Sequence, residues 1–592
     1  MLTLLSLGFL LVGCSNILLP APPLPASLPN GVAAGDVTQS SAVLWTRSTV
    51  TGPLTFTYTA AGSADGQRIV VAVDDPQRPV TVTLSGLQAA TRYIYTAENA
   101  LGERASGRLR TPARLGVYAG LRFAASGDWR GDLAPFAAMS NIPARDPDFF
   151  LLLGDAIYAD IASPAVPGKT AENLAEFRRK YAEVYGSTDY LPGSGHNDFL
   201  IPSILWPLPG RSTENEWARL RAATSLLAVL DDHEVTNDFA GGAPAAADRR
   251  FAEESGLIND SALYEAGVQA FQEYQPLAAE FYAETGRDPR MDGERKFYRY
   301  RTYGSDAALL LVDSRSFRDL PLARAQMDNP ADEARFLAQS YRPGRTLLGA
   351  RQVTALLEDL QRAQQSGVTW KFVAISVPAQ YRGLLSAQDR YEGYAAERAQ
   401  ILAFVDDTPI CNVVFVSADI HGTLVNDLSY ARSPHTAQIA TSAFEVSVGA
   451  VAFDPPQGPV LVRHGVDAGL ISPAEAAIYA ALPVANDPDS FVDDKDDWVK
   501  AYINRQLAAL GYDAIGLAAS GVDAALLQGD YAALHSYGWT EFAIDAQTQL
   551  LTVTTYGIPP YSLGDLQTNR AGGRARPPAV VSQFQVRPDW DC

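Results

Sequence analysis

Along this chain the hydrophobic and polar positions keep one period over the first hundred residues and another afterwards. Between residues 31 and 112, short β-rich runs at 42–46, 54–58, 69–73, 80–84 and 92–96 are separated by turn residues at near-regular spacing. That pattern predicts an all-β sandwich. After Arg114 the period changes. Apolar runs at 121–125, 149–153, 225–230, 308–312, 371–376 and 411–417 predict buried strands. Between them, 134–142, 171–185 and 352–363 predict helices; Leu174, Phe177, Tyr181 and Tyr185 fall at helical spacing. Strands alternating with helices predict an α/β architecture, a layered sheet with helices on both faces. Residues 465–531 are rich in Ala and Asp and read as a helical insertion, a candidate lid. Alternation returns at 542–556 and predicts a hairpin that closes the sheet.

With 592 residues the chain is too long for one core. The expected division is a leader at 1–14, a tether at 15–30, the sandwich at 31–113 and the α/β domain at 114–592, whose closing strands and tail run over 540–592. Residues 2–12 are almost wholly apolar and precede Gly13-Cys14-Ser15, the form of a signal peptide too short to span a bilayer. Leu11-Val12-Gly13-Cys14 resembles a bacterial lipobox, which implies a lipid on Cys14 as the membrane anchor; a plain secretory signal is the alternative. Either reading predicts export.

Charge narrows the function classes. Lys+Arg number 47 against 67 Asp+Glu, a net −20, which argues against a nucleic-acid binder. Three cysteines without a CxxC pair argue against a zinc ribbon or a dithiol redox centre, and Cys411 and Cys592 could pair if they meet.

The chemistry concentrates where apolar runs stop. Phe149-Phe150-Leu151-Leu152-Leu153 ends at Gly154-Asp155, with Tyr158 three residues on. Three other runs end the same way: Ser126-Gly127-Asp128-Trp129-Arg130, Asp231-Asp232-His233-Glu234 with Asn237 and Asp238, and Asp419-Ile420-His421. Each alone could be a helix cap or a turn. Four together, all offering oxygen or imidazole at predicted sheet edges, point to a polynuclear metal centre. The remaining histidines, His196, His435, His464 and His535, lack such company and read as surface or satisfied core residues.

These residues resemble the calcineurin-like metallophosphoesterases, and most closely the PhoD-type alkaline phosphatases. The landmarks are Gly31-Val32-Ala33-Ala34-Gly35-Asp36, Val43-Leu44-Trp45-Thr46-Arg47, Leu153-Gly154-Asp155 through Tyr158, Asp231 to Glu234, Val312-Asp313-Ser314-Arg315, Leu348-Gly349 with Gln352, and Asp419-Ile420-His421. Leu84 to Leu87 followed by Thr91 to Tyr95 resembles the tyrosine corner of a fibronectin type III domain. The resemblance implies an α/β metallophosphoesterase core of layered sheets behind a fibronectin-like sandwich that serves as a structural cover or spacer. It implies that Asp155 bridges two metals, that Asp128, Tyr158 and His421 complete the first site, and that Asp232 or Asn237 with Asp419 holds the second. A phenolate ligand implies iron at the first site, and oxygen-rich ligation implies calcium or another hard divalent cation at the second. Gly127-Asp128-Trp129 resembles the purple acid phosphatases at this motif, whereas typical PhoD members place a Cys near it. Residues 373–380 lack the histidine that many of the superfamily carry there, in keeping with calcium.

In the implied reaction, metal-activated hydroxide attacks a phosphate monoester. His233 faces the leaving group, Glu234 orients it, and Arg130 or Arg315 holds the developing charge. Arg315 has the alternative role of bracing Asp313 and Glu residues structurally. The expectation is an exported, monomeric phosphate-ester hydrolase. A phosphodiesterase or phospholipase D-like hydrolase is the enzymatic alternative, and a degenerate phosphatase fold used as a surface binding protein is the non-enzymatic one.

Overall fold

The computed structural model describes residues 27–186, 216–326, 329–485, 491–518, 520–568, 572 and 576–591. The lipobox cysteine Cys14, the tether up to residue 26, His196 and Cys592 lie outside the described residues. Cys411 is disulfide-bonded. Beside it, Asn412 accepts from the Asp589 N–H at 2.7 Å, which holds the C-terminal segment at this edge.

Seven strands open the chain: β1 Val32–Gly35, β2 Ser41–Thr46, β3 Gly52–Ala60, β4 Gln67–Val73, β5 Val80–Ser85, β6 Arg92–Glu98 and β7 Arg104–Arg110. In β5, β6 and β7 buried and exposed residues alternate, as a sheet with one face on a core requires. The sheet β4-β3-β6-β7 packs on β1-β2-β5 around Leu44, Phe56, Leu84 and Tyr95. The Tyr93 hydroxyl accepts from the Gln88 N–H at 2.8 Å, closing the tyrosine corner.

The rest of the chain adds β8 Leu121–Trp129, β9 Phe149–Leu152, β10 Ser225–Ala228, β11 Arg299–Tyr303, β12 Ala307–Leu311, β13 Trp370–Ala374, β14 Val413–Ser417, β15 Thr423–Tyr430, β16 Ile439–Ser447, β17 Ala450–Ala452, β18 Ala524–Gly529, β19 Ala532–Ala533, β20 Tyr537–Ile544, β21 Leu551–Ile558 and β22 Ala579–Val586. They form two large sheets, β18-β22-β21-β20-β8-β9-β10-β1-β2-β5, with β17 paired to β8, and β11-β12-β13-β14-β16-β15-β19. In each, the central strands are parallel: β8, β9 and β10 in the first, β12, β13, β14 and β16 in the second. Parallel strands are covered on both faces, which is why β9 reads as an unbroken apolar run.

The two sheets meet across one core. Phe123 stacks on Phe149 and Phe542 at 4.8 and 4.7 Å and lies edge-on to Phe372 of the opposite sheet at 5.0 Å. Helices Leu174–Tyr185, Glu216–Ala223 and Ala262–Tyr274 cover the outer face of the first sheet. Helices Ala350–Gln365 and Ala395–Asp407 cover that of the second. The layers therefore run helix, sheet, sheet, helix.

Three expectations change. The sandwich is more than a spacer, because β1 continues the large sheet by pairing in parallel with β10 at Gly35↔Leu226. Only glycine fits there: a Cβ on Gly35 would stand 2.6 Å from the Pro276 carbonyl oxygen and 2.7 Å from that of Leu226. Residues 134–142 do not form a helix. Pro135 holds Ala134 extended (ψ 145), leaving short 3-10 turns at Gly131–Leu133 and Ala137–Met139. The helical insertion begins earlier and ends sooner than its composition suggests. Helices Gln457–Asp467, Pro473–Ala481 and Lys495–Ala509 build it, whereas β18, inside 465–531, pairs with β22.

Candidate metal centre

The C-terminal ends of β8, β9, β10 and β14 converge on one edge of the two sheets, where open α/β sheets place their ligands. β8, β9 and β14 deliver their ligands through sharp backbone turns. Asp128, Asp155, Asp419 and His421 all stand in the left-handed region, at φ 58, 52, 65 and 55. Non-glycine residues rarely adopt it, and such strain gathers at functional sites. Gly154 (φ 93) makes the approach possible, since a Cβ there would meet the Asp231 Cβ at 2.4 Å.

Three groups of side chains bring ligand atoms within 4.8 Å of one another: Asp128 with Asp155 and His421, Asp155 with Asp232 and His233, and Asp231 with Asp232 and Asp419. Asp155 belongs to the first two groups and Asp232 to the last two, so the three form a chain. Both carboxylate oxygens of Asp128, and Oδ2 of Asp231, are buried and hydrogen-bonded to nothing. Burial without a donor is costly for a carboxylate. Cations would supply the missing partner, and the donor set of carboxylates, imidazole and one phenol fits them. Burial, reinforced by Asp419, holds the Asp128 carboxyl well above its usual range; burial and Asp232 do the same to Asp155.

Tyr158 lies at the first group. Its hydroxyl is 3.2 Å from His421 Nε2, which is in turn 3.6 Å from Asp128 Oδ1. Phe453, just past β17, stacks on His421 at 3.8 Å and contacts Tyr158 at 5.0 Å, fixing both rings. Burial pushes the His421 imidazole down to about 3, so it stays neutral with a lone pair to donate.

His233 is differently placed. Its ring packs on Tyr158 at 4.3 Å, and Nδ1 pairs with Asp160 Oδ1 at 2.6 Å. Burial opposes its charge, but Asp232 and Asp160 outweigh burial and raise the ring to about 9. Asp160, then, orients His233, and Glu234 does not. Glu234 instead accepts from the N–H groups of Asp155, Ala156 and Asp231 at 3.2, 2.6 and 2.9 Å, bracing two of the strand-end loops.

The two arginines singled out from the sequence take structural positions. Arg130 is tied to Asp132 through two bonds of 3.1 and 2.6 Å. Arg315 is fully buried, with Nε on Asp231 at 2.5 Å, Nη1 on Asp389 at 2.9 Å and Nη2 on Asp419 at 3.4 Å. It holds carboxylates apart instead of facing the opening. Asn237 is exposed and joins the site through its backbone, its N–H donating to Asp160 at 2.8 Å. Asp232 accepts from the N–H groups of His233 and Asp238 at 3.0 and 2.5 Å; burial resists its ionisation, but Arg315 and His233 prevail and hold it below the usual carboxylate range. Asp160 and Asp389 do not stand out in the sequence, and Asp231 does so only as part of the Asp231–Glu234 motif, with no role of its own. Asp231 and Asp160 stand within the acid-bearing loops, which was the available signal; Asp389 carried none. Of the histidines set aside, His435 is exposed, and His535 is a satisfied core residue between Asp496 and Tyr479, each at 2.7 Å.

Comparison with known proteins agrees with this geometry. Over 430 residues the chain is 25% identical to alkaline phosphatase D of Bacillus subtilis (strain 168), an alignment covering 67% of this chain and 65% of that relative. The solved structure described as "Structure of PhoD" superposes with a TM-score of 0.64 at 17% identity, over 96% of this chain and 92% of that one, which establishes the shared fold. The family model for the N-terminal domain of PhoD-like phosphatases matches residues 16–113, and that for PhoD-like phosphatase matches residues 211–479. Together the two matches cover more than half of the sequence, and the chain belongs to the PhoD-like phosphatase family.

Proposed function

We propose that the protein is a metal-dependent hydrolase of phosphate monoesters, as the name of its curated relative suggests. One observation carries the reading: ligand atoms from four strand ends meet in three overlapping groups that share Asp155 and Asp232, with the Asp128 carboxylate otherwise unbonded. Asp128, Asp155, Tyr158 and His421 would hold one cation; Asp155 and Asp232 with Asp231 or Asp419 would hold another. When bound, such cations neutralise phosphoryl oxygens and lower the pKa of water. The protein's own part is proton transfer and posture. His233 keeps its Nδ1 proton on Asp160 and offers Nε2–H to the departing alkoxide. Glu234 and Arg315 keep the acid-bearing loops in place.

Iron at the Tyr158 position and calcium or another hard divalent cation at the second belong to this proposal, supported by the phenol and by the carboxylate excess. Export, with a lipid on Cys14, rests on the leader sequence alone and is read out by the mass of the mature N-terminus. The enzymatic test uses the metal-loaded protein and p-nitrophenyl phosphate. Asp155→Asn should lower turnover by about 10³-fold or more while the circular dichroism spectrum stays native. Turnover close to that of the native protein would remove Asp155 from the centre. A rate on bis-p-nitrophenyl phosphate far above the monoester rate would replace the monoester reading with a diesterase.

A further inference from the structure

Four arginines are buried around the acid cluster, and one of them makes no salt bridge among the described residues. Arg315 and Arg318 share Asp389 at 2.9 and 2.6 Å, and Arg390 pairs with Glu392 at 3.0 Å. Arg382 is 8% exposed, yet among the described residues its guanidinium makes no salt bridge, although Glu392, Asp419 and Glu445 act on it electrostatically from further off. With the Gln457 amide in the orientation that satisfies both neighbours, Gln457 accepts from Arg382 Nη2 at 2.5 Å and donates to the Ile420 carbonyl. The buried Nε of Arg382 has no partner. A guanidinium carries five N–H donors in a planar fork, so most of this fork is unspent.

Arg382 is tied to the loop that carries the ligand residues. The Gln457 N–H donates to the His421 carbonyl at 3.0 Å, so the residue that holds Arg382 also holds the loop bearing Asp419 and His421. The charge of Arg382 is felt by both of those side chains. Burial, aided by Arg390, lowers Arg382 only to about 9, and it remains charged at neutral pH. A buried cation whose donors meet no carboxylate is unfavourable, and a planar fork suits an oxyanion with two oxygens to share. Arg315 has its donors committed to Asp231, Asp389 and Asp419, and Arg130 is tied to Asp132 through Nε and Nη2.

We propose that Arg382 is the side chain that receives the phosphoryl oxygens of the substrate, and of the phosphate product, with Gln457 holding its fork in place. The proposal rests on the phosphoester reading of the neighbouring centre. The test measures binding of inorganic phosphate to the metal-loaded protein by calorimetry, together with KM and kcat for p-nitrophenyl phosphate. Two variants are compared with the native chain. Arg382→Lys keeps the charge and loses the fork. Gln457→Glu keeps Arg382 but gives it an internal carboxylate, at the first residue of a helix where negative charge is well tolerated. Both should weaken phosphate binding by about 10-fold or more and raise KM in parallel, with metal content unchanged. Phosphate affinity within about twofold of native in Gln457→Glu, or in folded Arg382→Lys, would overturn the assignment while leaving the hydrolase reading intact. A metal-loaded native protein that neither binds phosphate nor cleaves esters would overturn both.

Discussion

Arg315 and Arg221 are both wholly buried, in opposite surroundings. Arg315 lies at the strand ends against Asp231, Asp389 and Asp419, with Asp232 3.6 Å away. Arg221 lies at the seam between the sandwich and the core, its guanidinium 4.1 Å from the Trp45 ring and 4.3 Å from the Tyr185 ring, with a 3.4 Å bond to the Tyr274 carbonyl. Its Nε and Nη1 have no hydrogen-bond partner. Aromatic faces compensate one cation and leave no charge over. The carboxyl groups around Arg315 outnumber it and continue into Asp128 and Asp155, so that region carries a surplus of acids that bound protons or further cations must neutralise. A seam is electrostatically closed; a metal centre is open by construction.

The sharpest way to break the contrast is to remove each charge. Arg315→Met should destabilise the metal-free protein by about 3–5 kcal/mol, because it strands several buried carboxylates. Saturating metal should recover part of that loss in a thermal melt. An unchanged melting temperature would mean that the carboxylates are not held by Arg315.

A pH series on the metal-free protein comes next in size. Burial, opposed in part by Arg315, raises Asp231 and Asp419 to about 7, and burial raises Glu234 to about 8. The folded state then binds more protons than the unfolded chain, whose carboxyls titrate near 4. Stability from these groups is fully present below that value and is lost as pH rises towards 7 and 8. His233, raised to about 9, adds loss in the same direction. Without metal, the melting temperature should fall between pH 5 and 8, and metal should flatten the slope. A metal-free protein that becomes more stable over that range would contradict the surplus of acids.

The smallest effect belongs to the seam. Arg221→Met should cost about 1–2 kcal/mol of cation–π contact, with no dependence on metal. A metal-dependent loss would join the two regions that the structure keeps separate.

How much of this was legible in the sequence follows from range. Phe149 to Leu153 was readable as a buried strand because parallel strands need apolar residues on both faces, and Asp155 stood out because it ends that run. Asp128, Asp419 and His421 share the same local grammar. Asp160 did not stand out as the partner of His233, since their contact spans 73 residues and depends on how two loops fold over each other. Glu234 was assigned to its sequence neighbour for the same reason, while its oxygens turn back to the backbone of Asp155 and Ala156. Nothing in the one-dimensional pattern separates Arg315, wrapped in carboxylates, from Arg221, wrapped in rings. The seam was invisible too, because the Gly35↔Leu226 pairing joins two segments that each look complete alone.

The central claim is that these strand ends hold metal. Elemental analysis of the purified protein, with a visible spectrum taken before and after chelation and reloading, tests it most directly. The account predicts more than one metal ion per chain, fewer in Asp155→Asn, and a visible band that Tyr158→Phe abolishes. A reloaded protein that retains no metal, with Asp155→Asn indistinguishable from it, would contradict the account.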